Sequence, residues 1–118
     1  MNQHKAALIM PFARSTGRYL LALRSPRVSY PNVWAPFGGY AEPGESPVDT
    51  ARRELKEETW FDGPMLVQPI LSRPIPVFLA SVDDEFPPVL NWEHLSASWM
   101  PYEEAMGLLA SFVRLTSK

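Results

Sequence analysis

Apolar residues run unbroken from Ala6 through Ala7, Leu8 and Ile9 to Met10, a pattern suited to a central strand, and residues 4–14 are expected to form it. Arg18–Arg24, with Tyr19 to Leu23 inside it, reads as the antiparallel partner across a Ser15-Thr16-Gly17 turn. A third extended piece over residues 32–37 leads into Gly38 and Gly39, and residues 25–31 between them form a loop. Further on, residues 65–72 and 75–82 are rich in β-branched side chains and predict two more strands. Pro74 and Pro76 then belong at a strand start or on an edge, because proline donates nothing to a ladder. Residues 83–88 make an acidic, proline-ended turn, and residues 93–100 predict another strand.

The period changes from strand to helix in two places. Ser46 is a good N-cap, Pro47 suits the first helical position, and Asp49 completes a variant of the capping box, so a helix begins at Ser46 or Pro47. At 100° per residue, Val48, Ala51, Leu55 and Thr59 share one narrow stripe, which is the buried side. Asp49, Arg52 and Lys56 lie on one flank of it, and Glu54, Glu57 and Glu58 on the other. Arg53 stands one turn before Glu57 and is within reach of Glu45 if the preceding loop folds over the helix start. The second helix opens at Pro101, with Glu103 and Glu104 favourably placed in its first turn and Ala105, Leu108, Leu109 and Phe112 on its apolar side. Strands, helix, strands, helix is the order of an α/β fold with a mixed sheet between two helices.

Composition narrows the function classes. With 118 residues, 46% of them hydrophobic, residues 1–118 are expected to fold as a single domain with an adequate core. Thirteen prolines clustered at segment ends predict stiff loops. The absence of cysteine leaves no disulfide and no thiolate ligand. A net charge of −2 gives no electrostatic reason to expect a nucleic-acid polymer as partner. No apolar run has spanning length, so a soluble, cytoplasmic protein without a membrane partner is expected.

The carboxylates of Glu54, Glu57 and Glu58 repel one another on one side of a helix, at a few tenths of a kcal/mol per exposed pair. A divalent cation reverses the sign. Hard oxygen ligands favour Mg²⁺ or Mn²⁺, ions that bind phosphate as well. A solvated acidic helix face is the alternative reading of the triplet by itself.

The spacing adds to this. Gly39, Glu45, Arg53-Glu54-Leu55 and Glu57-Glu58 stand as in the box of the Nudix hydrolase family, and Trp34-Ala35-Pro36-Phe37-Gly38-Gly39 resembles that family's lead-in. The resemblance implies an α/β/α sandwich and hydrolysis of a phosphoanhydride bond in a nucleoside diphosphate linked to another group, such as a nucleoside triphosphate or an ADP-ribose-like compound. It implies Glu54, Glu57, Glu58 and Arg53 as the catalytic set, with Mg²⁺ (or Mn²⁺) held by those glutamates and the Gly39 carbonyl. Glu93 would be a further acidic ligand or base outside the box, and His94 beside it is either a pocket base or structural. Arg24, and more weakly Arg27, would contact phosphate; Phe37 and Gly38 would lie at the substrate, and Glu45 would be the structural member of the box. Tyr30, Trp34, Tyr40, Phe78 and Trp99 are further aromatic candidates for stacking on a base, and a homodimer is a candidate assembly.

One position departs from the box: Trp60 stands where the family usually has a helix-ending glycine. Either the helix ends differently, with Gly63 as a later breaker, or strain is stored at Trp60. This departure is what motivates the alternative of a non-catalytic nucleotide-sensing or partner-binding module with the same fold.

Overall fold

The computed structural model describes residues 5–117, so His4, expected in the first strand, lies outside the described residues. Strand β1 (Ala6–Ala13) is the hub of a seven-stranded sheet. It pairs antiparallel with β2 (Arg18–Arg24) at its far end, antiparallel with β4 (Phe37–Tyr40) at its near end, and parallel with β6 (Val77–Val82) along its other side. Pro11 sits between the last β4 pair, Ile9 with Phe37, and the first β2 pair, Phe12 with Tyr19, where the antiparallel ladder is already interrupted. The short β3 (Trp34–Ala35) and β7 (His94–Met100) pair with β2, and β5 (Leu66–Leu71) borders β6 as an edge strand that tolerates Pro69. Pro74 and Pro76 precede β6.

The single extended piece expected over residues 32–37 is two strands. Trp34–Ala35 pairs with β2 and Phe37–Tyr40 with β1, and Pro36, which has no N–H to give either ladder, stands where the chain changes partner.

Both faces of the sheet are covered, which is why its central strands are apolar without alternation. Ala7 and Ile9 of β1, Leu20 and Ala22 of β2, and Phe78 and Ala80 of β6 face one side, with Ala51 and Leu55 of α1 (Pro47–Thr59). Leu8, Met10, Leu21 and Val77 face the other, with Ala105, Leu109 and Phe112 of α2 (Tyr102–Thr116). The period of two along each strand thus deals its side chains to two cores. The arrangement is the α/β sandwich expected, a mixed sheet between two helices. Among the described residues no helix is long and apolar enough to cross a membrane.

Helix α1 starts as its sequence dictates: Ser46 caps it, its Oγ accepting from the Asp49 N–H at 3.2 Å, and Pro47 is the first helical residue. It ends at Trp60, which takes the left-handed conformation (φ 65°, ψ 11°) and donates its N–H to the Lys56 carbonyl. Gly63 is not the breaker. The tryptophan occupies the glycine conformation and is 72% exposed, so strain there is not offset by burial.

Candidate active site

The site is built where α1 crosses β4. The register of β4 on β1 sets Gly38 against Leu8 and Gly39 against Ala7, so β4 carries no side chain at these two positions. A Cβ on Gly38 would stand 2.3 Å from the Ala7 carbonyl oxygen, and one on Gly39 would stand 2.2 Å from Oε2 of Glu54. The carboxylate of Glu54 therefore occupies space that any other residue at 39 would fill. One turn on, Glu58 is only 2% exposed and accepts a hydrogen bond from the Gly38 N–H at 3.1 Å.

Burial raises the proton affinity of both acids. Burial pushes the Glu58 carboxyl up, the charges of Glu54 and Glu93 push it further, and the Gly38 N–H opposes them. Burial likewise raises Glu54, against a hydrogen bond from Glu58 and the charge of Arg53. Glu54 is thus paired with Arg53, and Glu58 lies deeper, held by the Gly38 N–H beside the glycine cradle.

Arg53 ties the loop to the helix. Its Nε and Nη2 fork onto both oxygens of Glu45, at 2.7 and 3.0 Å, and Nη2 also donates to the Tyr40 carbonyl. Nη1 reaches Glu54 and Glu57, each at 3.2 Å. Glu45 accepts in addition from the Glu42 N–H and the Thr50 hydroxyl, so its carboxylate is saturated. Chiefly through Arg53, the Glu45 pKa falls to about 2, and the same bond raises that of Arg53.

Opposite the helix, a β-bulge between Leu23 and Arg24 pairs Arg24 with His94, and the Ser25 N–H bonds the Glu93 carbonyl at 2.9 Å. This brings Arg24, Glu93 and His94 to the cleft, whose volume is about 710 Å³. The Arg24 Nε donates to the carbonyls of Ser29 and Tyr30, and its guanidinium lies over the Phe112 ring at 5.6 Å. Burial lowers its pKa, while Glu58 and Glu93 hold it up. A half-buried cation in the wall of a cleft suits an anion there.

Of the residues singled out from the sequence, Arg24, Arg27, Gly38, Gly39, Arg53, Glu54, Glu58 and Glu93 line this cleft. Glu57 does not line it; its side chain is 55% exposed and is joined to the others through Arg53. Among the described residues no three acidic or histidine side chains stand together as a ready-made metal cage, because Arg53 draws Glu54 and Glu57 to its own guanidinium. Phe37, expected at the substrate, is fully buried: it alternates inward from Gly38 on β4 and packs in the core, edge to face with His94 at 5.3 Å. His94 is a buried, neutral ring whose Nδ1 has no partner, its pKa lowered to about 4 first by burial and then by Arg24. Of the aromatic candidates, Tyr30 and Tyr40 reach the cleft, whereas Trp34, Phe78 and Trp99 pack against the two cores. Sequence reasoning missed Trp92 and Thr50; the exposed Asn91-Trp92-Glu93 turn was the available signal for the first, and the acceptor needs of Glu45 for the second.

Comparison with known proteins agrees with this picture. A 52-residue stretch is 40% identical to nucleoside triphosphatase NudI of Enterobacter sp. (strain 638), covering 43% of this chain and 37% of that protein. NudI of Escherichia coli O1:K1 is 38% identical over a stretch of the same length. The matched region thus spans little more than a third of these relatives. Over nearly the whole chain, the fold is shared with an Ap4A hydrolase of C. elegans, with TM-score 0.72, 25% identity, and coverage of 94% of this chain and 92% of that one. It is shared too with RenU, a Nudix hydrolase of M. smegmatis, with TM-score 0.76, 21% identity, and coverage of 95% and 83%. The model of the NUDIX domain matches residues 2–115, spanning the glycine cradle, the Arg53 clamp and both acids of the cleft, and the chain belongs to that family.

Proposed function

We propose that this protein is a pyrophosphohydrolase that cleaves a phosphoanhydride bond in a nucleoside diphosphate linked to another group, with the help of a divalent cation. The observation that carries the reading is the Glu54–Glu58 pair, desolvated beside Gly39 and facing Arg24 across the cleft. The names of the relatives, a nucleoside triphosphatase and an Ap4A hydrolase, support nucleotides as the substrate class.

The donor set fits a hard cation. Only oxygens are offered, burial takes both carboxyls partly or wholly out of water, and the missing Cβ of Gly39 lets the Glu54 carboxylate lie against the Gly39 backbone. Glu54, Glu58 and the Gly39 carbonyl would hold Mg²⁺ or Mn²⁺, with Glu57 and Glu93 as further ligands. The cation, when bound, supplies charge neutralisation at the leaving phosphate and acidifies a bound water.

The chain's own groups do the rest. Arg24 neutralises and orients the phosphates from the opposite wall. A glutamate of the Glu54, Glu57 and Glu58 set takes the proton of the attacking water. Arg53 fixes the loop and the helix so that these groups keep their spacing. Trp60, the feature that favours a non-catalytic module, lies beyond the carboxylates and preserves the left-handed helix exit, so it gives that alternative no support.

Incubation with nucleoside triphosphates, dinucleoside polyphosphates and ADP-ribose, with Mg²⁺ or Mn²⁺ and with a chelator, followed by product identification, tests the reading. Cation-dependent release of a nucleoside monophosphate is expected; binding without product from every compound would instead favour a sensing module.

A further inference from the structure

In the turn that precedes β7, Trp92 is 58% exposed and lines the cleft. Its place is built in. Asn91 accepts from the Glu93 N–H at 2.9 Å and donates to the Glu93 carboxylate at 3.2 Å, which closes a tight turn around Trp92. The Ser25 N–H bonds the Glu93 carbonyl, and the Ser25 hydroxyl accepts from the Arg27 N–H at 3.1 Å, so the loop carrying Arg27 is tied to the same turn. The guanidinium of Arg27 lies over the Trp92 ring at 5.5 Å from its centroid. The result is a flat aromatic ring, backed by a planar cation and held in a concave wall.

We propose that Trp92, layered on Arg27, is the platform on which the nucleobase of the substrate stacks. The proposal rests on the nucleotide reading above and names the part of the cleft that reads the base. Trp92 stands one residue from Glu93, whose charge acts on Glu54 and Glu58, so a group stacked there belongs to the same molecule whose phosphates lie between Arg24 and the acids. A tryptophan on a convex face would suit a protein partner; one that lines a cleft beside an anion site suits a planar group joined to phosphate. Stacking reads the face of a base and not its edge. The platform therefore accepts purines and pyrimidines alike, and it distinguishes nucleotides from phosphates that lack a base.

Calorimetric titration of the full chain, in Mg²⁺, with AMP, UMP and the base-free ribose 5-phosphate tests this. None of the three has a phosphoanhydride bond, so the measurement needs no turnover. The wild type should bind both nucleotides about 10- to 100-fold more tightly than ribose 5-phosphate. Trp92→Ala should bring both down to the level of ribose 5-phosphate, whose own affinity stays unchanged, and Trp92→Phe should restore most of the difference. A wild type with no preference for the nucleotides, or a Trp92→Ala variant that keeps it, overturns the proposal. A wild type that shows the preference but hydrolyses none of the substrate panel overturns the hydrolase reading and leaves the platform standing.

Discussion

Gly38 and Gly39 are neighbours, yet a methyl group added to each would meet different things. At Gly38 it would meet the backbone of β1, which cannot move without disturbing the sheet. At Gly39 it would meet the tip of the Glu54 side chain, which can swing away. Gly38→Ala should therefore lower stability by roughly 1–3 kcal/mol, as overpacking does. Gly39→Ala should fold nearly as well but lose about 10²-fold in activity through displacement of Glu54. Melting curves and turnover measured side by side separate the two. Trp60 gives a third test of the same kind. Because it holds a left-handed conformation and is mostly exposed, Trp60→Gly should stabilise the fold by roughly 1–2 kcal/mol, a rise of a few degrees in Tm, and a fall would mean that the ring packs usefully. The departure at Trp60 was legible in the sequence, but not which way it resolves, since that depends on whether the exposed ring finds neighbours. Phe37 marks the limit in the other direction: its position beside the glycines pointed to the ligand, and only the alternation along β4 sends it into the core.

Helix α1 was readable almost to the residue, because a cap, a proline and an apolar stripe agree on its start and its buried side. What the helical wheel missed is the depth of Glu58. That carboxyl is buried because the strand beneath it carries two glycines, so helix and sheet approach closely at a point the helix's own sequence does not reveal. The Arg53–Glu45 clamp, by contrast, was foreseeable from reach alone, and it carries a pH dependence whose sign is fixed. Glu45 is held ionised in the fold down to about pH 2, while an unconstrained glutamate takes up its proton near 4.5. Between those values the unfolded chain binds the proton that the folded chain refuses, so the clamp's contribution is complete above pH 4.5 and fades as the pH falls through 2. Urea unfolding at pH 5 and at pH 3 should show that Glu45→Gln costs stability at the higher pH and less at the lower. An equal cost at both would mean that the Glu45 carboxylate is not the group being held.

Two cores flank the sheet among the described residues, and the cleft opens where α1 meets β4. Apolar runs and their periods sufficed to predict strands, helices and their order, because each element's burial follows from its own pattern. The cleft did not follow in the same way. Its inner wall comes from one contiguous stretch, residues 38–58, and was legible as a motif; its outer wall comes from Arg24, Arg27, Trp92 and Glu93, which meet only through the pairing of β2 with β7 and the bulge at Leu23 and Arg24. Long-range register of that kind leaves little trace in a single sequence. The claim on which the rest depends is that the Glu54–Glu58 pair beside Gly39 performs the hydrolysis. It is tested most directly by kcat/KM for a nucleoside triphosphate in Mg²⁺, compared between the wild type and Glu58→Gln, with circular dichroism to verify the fold. The account predicts measurable turnover by the wild type and a loss of about 10²-fold or more in the folded variant; a wild type without activity, or a variant as fast as the wild type, would contradict it.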